Sequence, residues 1–400
     1  MFRRNDATMT SKRPESLSIC FFAGDFAEVL RRHEAGEPQA YGTHREVAML
    51  LLALSGMGIK TCVYSFCTDK RADERPIPGV RILSLGATSY REGTVLRNAI
   101  AGDSSEAFIT HFPSPDLLEA VANSDRRVMA FLANSFYRRG PRSWMRRRRT
   151  VALLNRPEIE LVANHCLPAT EHLAHLGVRR EKLIAWDVPH PFTPAATRPK
   201  TCAPTKPFTV MYAGAISEEK GVGDIIRAIR HLEFATDVTF RFAGSGDIGA
   251  MRRMAEQLGV GNRIEFLGTL PNSEVFARFQ GADLLIVPSR WEFQEGFPLT
   301  MFESIASRTP VVCSDHPIFR HVLIDRANAK IFRAGDSFDL ARAIDAVLAD
   351  PKLYVRLSRA APKTWKKLKG PANWRKLILE WVQKGPTSPW IQQRMFARQL

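Results

Sequence analysis

Several things are missing from this chain, and each absence narrows what it can be. Six cysteines (Cys20, Cys62, Cys67, Cys166, Cys202, Cys313) are scattered through 400 residues. None stands in a CxxC or other metal-ligand spacing, which excludes a zinc ribbon or redox dithiol and leaves buried thiols in a reducing compartment. No apolar run reaches bilayer length: the longest, AMLLLALSGMG from Ala48, is short and broken by glycine. The first residues, MFRRNDATMTSKRPES, lack the apolar core of a secretory leader. The expected location is therefore the cytoplasm, with contact to the inner face of a membrane open. Acidic residues are also in deficit, 41 against 57 Lys and Arg, for a net charge of +16. The excess is even: 29 basic and 21 acidic residues fall in 1–200, and 28 and 20 in 201–400. Such a balance suits anionic partners, namely phosphates, nucleotides, nucleic acid or anionic lipid, and a dedicated basic tail would break it.

What is present is alternation. LSICFFAG is a buried strand, VAMLLLAL carries helical spacing, and IKTCVYSF is the next strand. RILSLG, EAFITHF, RVMAFLANSF, IELVANH and LIAWDV continue the series with helices between them. Strands that alternate with helices predict a doubly wound parallel sheet. HPFTPAATRPKTCAPTKP (190–207) interrupts the rhythm with five prolines and reads as a linker. Alternation then restarts with FTVMYAG and runs to the helices around 340–360. The fold class expected is α/β, with two facing Rossmann-like doubly wound domains and a ligand in the inter-domain cleft. The boundaries expected are 1–195, 196–362 and a helical tail 363–400 packing back on the first domain.

The chemistry concentrates in EGFPLTMFESIAS, from Glu295. Proline in a first turn and glycine before it predict a helix opening at Gly296–Pro298, whose free amides make an anion site. Glu295 stands before that terminus, and Glu303 eight residues on, about 12 Å away at a helical rise of roughly 1.5 Å per residue. Two carboxylates that bracket an anion site fit a nucleotide sugar.

This block resembles the E-x7-E signature of the family-4 retaining glycosyltransferases (group 1), which have the GT-B fold. YAGAISEEKGVGDIIRAI, FAGSGD, IEFLGTLPNSEV and LLIVPS are similar to the family's other segments, in order, over most of 205–350. The first half is less similar, through Gly42, ITHF at 109–112 and the segment from Leu161. The resemblance implies a hexosyltransferase that moves sugar from a nucleotide-sugar donor to an acceptor with retention, in polysaccharide or glycolipid assembly. It implies Lys220 and Glu295 as catalytic, and Gly214, Lys220, Gly244, Gly268, Glu295, Gly296, Phe297, Pro298, Leu299 and Glu303 as donor-binding. In that scheme Lys220 meets the pyrophosphate, Glu303 the ribose, and Glu295 the transferred sugar. Gly42, His111 and Asn134 stand on the acceptor side. The family needs no metal and no cofactor besides its donor substrate, and the chain contains no D-x-D.

Two departures stand out. Ala215 follows Gly214 where the family has arginine, a cation that Arg290 could replace. The family's His-Asp pair after the fifth strand falls near Ala133–Asn134. The alternatives are a GT-B nucleotide-sugar epimerase, and a basic protein on a degenerate enzyme fold that binds nucleic acid or membrane. No RNA-reading motif or helix-turn-helix supports nucleic acid. YRRGPRSWMRRRR (137–149), with seven arginines, is expected to open a helix at Gly140–Pro141. That run is either solvated surface or a foot on anionic lipid, where a lipid-linked acceptor would be met.

Overall fold

The protein is described here by a computed structural model. It describes residues 13–21, 24–37, 39, 42–65, 70–86, 93–111, 113–123, 126–138, 140–233, 237–320 and 322–398. Two compact units emerge. The first comprises residues 1–133, 141–188 and 370–400, and the second comprises 134–140 and 189–369.

The first unit holds strands β1 (Ser16–Phe21), β2 (Lys60–Ser65), β3 (Arg71–Ile77), β4 (Val80–Leu85), β5 (Ala107–His111), β6 (Arg127–Leu132), β7 (Ile159–His165) and β8 (Leu183–Asp187). Its helices are α1 (Phe26–Glu34), α2 (Gly42–Gly56), α3 (Gly93–Ile100), α4 (Pro115–Ala122), α5 (Pro141–Leu154) and α6 (Leu167–His175). The second unit holds β9 (Phe208–Ala213), β10 (Val238–Ala243), β11 (Ile264–Gly268), β12 (Leu284–Val287), β13 (Val311–Ser314) and β14 (Lys330–Phe332). With them are α7 (Val222–Ala228), α8 (Ile248–Gln257), α9 (Asn272–Gly281), α10 (Leu299–Ser307), α11 (Ser337–Ala349) and α12 (Pro351–Leu368). The chain closes in the first unit with β15 (Ala372–Asn373), α13 (Trp374–Lys384) and α14 (Pro389–Gln392).

Among the described residues the first sheet runs β15-β8-β7-β6-β5-β1-β2-β4-β3 and the second β11-β10-β9-β12-β13-β14. Pairing is parallel throughout except at β3, which is antiparallel to β4. Central strands are apolar on both faces, since helices cover both: every residue of β5, AFITH, is buried. The antiparallel edge is absent from the sequence expectation. Its residues RADERPI alternate exposed and half-buried positions, and its charges guard an edge that would otherwise pair with another chain.

Helices α1, α4, α11, α12 and α13 start where a short polar side chain satisfies a free amide. Ser114 accepts from Leu117 N ahead of α4, and Asp350 accepts from Lys352 N and Leu353 N ahead of α12. The chain leaves the first unit at 188–189, seven residues before the boundary read from the prolines, and returns at 369–370. Residues 363–368, read as the start of the tail, finish α12 of the second unit. In the first unit Trp381 is fully buried; its indole N–H donates to Glu160 at 2.7 Å and the Arg127 guanidinium stacks 4.7 Å from its ring.

Candidate functional site

In the second unit, the ends of β9, β10 and β11 are laced together by glycine. Gly214 N donates to Ala243 O at 3.0 Å, and Gly244 N donates to Gly268 O at 2.7 Å. Gly244 has φ +142°, and a Cβ there would lie 1.9 Å from Gly214 O. Its glycine is thus demanded by backbone packing. Gly268 also lies in the left-handed region, with φ +69°, but faces open space. Ala215, in the place of the family's arginine, has its carbonyl bonded by the Tyr212 hydroxyl at 2.7 Å.

After the next turn, Gly221 caps α7 in a left-handed conformation and places Lys220 beside the loop that follows β12. There the Lys220 ammonium donates to Glu295 Oε1 and sits 4.1 Å from the centre of the Phe293 ring. Glu295 is only 4% exposed, and Ser289 Oγ donates to the same oxygen at 2.6 Å. The turn that carries both Phe293 and Glu295 is braced by His316, which is fully buried. His316 Nδ1 accepts from Ile318 N at 3.2 Å, so the proton lies on Nε2, 3.1 Å from Phe293 O. Burial holds this imidazole below its usual pKa and therefore neutral.

Helix α10 opens at Leu299, later than expected, with Pro298 as its N-cap. Proline has no N–H, so Pro298 cannot be one of the anion-binding amides, and Met301 N is already bonded to Pro298 O. The amides that open the helix are those of Leu299 and Thr300. Glu295 lies in the preceding loop, so the 12 Å helical spacing to Glu303 does not apply. Gly296 and Phe297 are buried, and the Phe297 ring packs edge-on against Phe302 and Phe319.

Glu303 lies in the second turn of α10 and accepts a hydrogen bond from Asn272 Nδ2, on the first residue of α9. Burial pushes its carboxyl up to about 7; the Asn272 amide and, more weakly, His190 oppose that shift. Arg290, the candidate for the missing cation, is paired with carboxylates. It is clamped on the buried Asp224 through Nε at 2.7 Å and Nη2 at 2.5 Å, and also reaches Glu218 at 2.9 Å.

The acceptor-side residues are spread differently. Gly42 opens α2 in the first unit. His111 ends β5 there inside an aromatic box, stacked on Phe131 with ring centres 5.0 Å apart and flanked by Phe21 and Trp374. Burial lowers its imidazole to about 3. Asn134, assigned to the first domain from sequence, lies in the 134–140 segment that folds with the second unit. In that segment Tyr137 meets the His316 ring edge-to-face at 5.8 Å. Within the second unit the structure thus brings Lys220 to Glu295, while Glu303 stands with Asn272. Ser289, Phe293, His316 and Asn272 were not found by sequence reasoning. Asn272 lay unremarked inside IEFLGTLPNSEV, and His316 in SDHP carries no local signal at all.

The glycosyl transferases group 1 family matches residues 195–364. A lipopolysaccharide core biosynthesis mannosyltransferase of Rhizobium leguminosarum is 32% identical over 149 residues, 36% of this chain and 41% of that protein. A phosphatidyl-myo-inositol mannosyltransferase of Mycobacterium leprae is 33% identical over 150 residues, 37% and 39% of the two chains. The chain thus spans about two fifths of the length of these curated relatives. Among solved structures, sucrose-phosphate synthase of Thermosynechococcus elongatus superposes with a TM-score of 0.65 at 16% identity, over 92% of this chain and 97% of that one. The lipopolysaccharide glycosyltransferase WaaG gives 0.62 at 14%, over 88% and 95%. Over residues 195–364 the chain matches the glycosyl transferases group 1 family, and its two α/β units have the GT-B fold.

Proposed function

We propose that the protein is a glycosyltransferase that moves a hexose from a nucleotide-sugar donor to a saccharide or lipid-linked acceptor, with retention, in polysaccharide or glycolipid assembly. The observation that carries this reading is the contact between Lys220 and Glu295. A buried carboxylate and a lysine from distant parts of the sequence meet on a braced turn, directly before the free amides of α10. Cleaving a nucleoside diphosphate from a sugar builds negative charge on the leaving phosphate, which a fixed cation and oriented amides stabilise. Lys220 and the amides of Leu299 and Thr300 take that role, and the site needs no metal. Glu295, held by Ser289, accepts from hydroxyls of the transferred sugar. Glu303, oriented by Asn272, accepts from the ribose. Gly42 and His111 belong to the acceptor side, and no residue is assigned as a nucleophile.

Similar proteins support the class of ligand: the structure of HepE from Anabaena, a TM-score 0.61 neighbour at 16% identity over 88% of this chain and 95% of that one, is a complex with UDP and glucose. The working place proposed is the cytoplasmic face of a membrane. A thermal-shift panel of UDP-, GDP- and TDP-sugars tests the reading, because a ligand that binds only the folded state raises stability by about 2.7 kcal/mol at a hundred times its Kd. One sugar nucleotide should stand out from the others. A flat panel removes the reading.

A further inference from the structure

The arginine run is not absorbed by the donor site, and the structure resolves it into unlike parts. Helix α5 buries only Thr150, Leu153 and Leu154, all in its C-terminal half. The first nine residues, Pro141 to Arg149, contribute nothing to a core. Yet that stretch holds two large apolar side chains that point to solvent, Trp144 at 49% exposure and Met145 at 57%. At 100° per residue, Trp144, Arg148 and Ala152 share the face opposite the buried residues, with Met145 on its flank. Arg148 stacks on Trp144, its guanidinium 4.8 Å from the ring centre. Arg142 is exposed on the flank beyond Met145, and Arg146, exposed too, lies on the side of the buried residues. Arg149 is different: it is paired with Glu119 and, at 3.1 Å, with Asp116, both on α4. Those two carboxylates are thereby paired, and α5, which has no acidic residue of its own, carries Arg148 on its outward face and Arg142 on the flank.

We propose that the N-terminal half of α5 docks on an anionic lipid bilayer, with Trp144 and Met145 entering the interface, Arg148 on the headgroup phosphates and Arg142 reaching them from the flank. An exposed tryptophan next to a long thioether, ringed by arginine, has the two affinities an interfacial helix needs: an apolar body and cations at headgroup level. Nucleic acid would use the arginines but leave Met145 without a role. No helix among the described residues is long and apolar enough to cross a membrane, so the contact is peripheral. The inference rests on the sugar-transfer reading only for its purpose, which is to bring the enzyme to a lipid-borne acceptor.

The test is co-sedimentation of the full chain with vesicles of equal parts phosphatidylglycerol and phosphatidylcholine, against vesicles of phosphatidylcholine alone. Each arginine near an anionic surface is worth about fivefold in partitioning, so Arg142→Gln/Arg148→Gln should weaken binding about twenty-five-fold. Trp144→Ser/Met145→Ser should weaken it on the anionic vesicles too, while Arg149→Gln stays within about twofold. Sugar-nucleotide thermal shifts, read on the same variants, should not move. That keeps a failure of lipid binding distinct from a failure of the transferase reading. Unchanged sedimentation of the double arginine variant, equal binding to neutral vesicles, or displacement from vesicles by duplex RNA would overturn the proposal.

Discussion

Lys220 is hydrogen-bonded to Glu295, and this pair joins residues 75 positions apart at a carboxylate sealed from water. A buried ion pair adds little over a well-packed apolar pair, but removing one partner strands the other's charge. Lys220→Met should therefore destabilise the second unit by about 3–5 kcal/mol. Adding Glu295→Gln should recover most of that loss. Urea unfolding of the two single variants and the double variant measures the coupling, and additive losses would show that the contact is not formed.

The carboxyl of Glu303 predicts a pH dependence of opposite sign to the common case for acids. Its folded pKa, about 7, lies above the unfolded value, so the folded state holds the proton more tightly. Stability then falls as pH rises from about 4.5 to 7, by up to about 3 kcal/mol at 1.36 kcal/mol per pKa unit. Glu303→Gln should stabilise the protein above pH 7 and lose that advantage near pH 4.5. If ribose hydroxyls donate to the ionised form, donor binding in the wild type should release a proton at pH 6–7, detectable as a buffer-dependent binding enthalpy.

His316 works the other way. Its pKa is lowered by burial, so the neutral fold is fully stable above about 6.5 and weakens as pH falls below that. His316→Ala strands Phe293 O and Ile318 N, at about 1–3 kcal/mol each. The variant's stability relative to the wild type should therefore improve as pH falls from 7 to 5, and donor binding should weaken by loosening of the turn under Lys220. Thermal melts across that range check both effects.

Two glycines of one lacing should respond unequally. Gly268→Ala meets only the left-handed backbone penalty, about 1–2 kcal/mol. Gly244→Ala drives a methyl into Gly214 O, 1.9 Å away, and should prevent folding of the second unit. Similar losses from both would contradict the close approach.

These contacts mark what the sequence could and could not disclose. The order of strands and helices was legible because the central parallel strands are apolar on both faces and the helices keep their own period, as AFITH and VAMLLLAL show. The edge strand β3 was not, because an exposed edge is selected for charge, and RADERPI looks like a loop. The start of α10 was misplaced because proline is favoured both in a first turn and just before one. The Lys220–Glu295 contact and the lodging of 134–140 in the second unit are tertiary, and no local periodicity encodes them. Arg290 looked like a spare cation because its partner Asp224 lies 66 residues away.

The central claim is that the second unit binds a nucleotide sugar through Lys220, Glu295 and Glu303. Calorimetric titration of the donor found by the thermal-shift panel, against wild type and Glu303→Ala, tests it most directly. The account predicts saturable one-to-one binding that weakens about tenfold to a hundredfold in the variant, as expected when hydrogen bonds to a charged group, worth about 1.5–3 kcal/mol, are lost. Equal affinity for both proteins, or no sugar nucleotide bound by either, would contradict it.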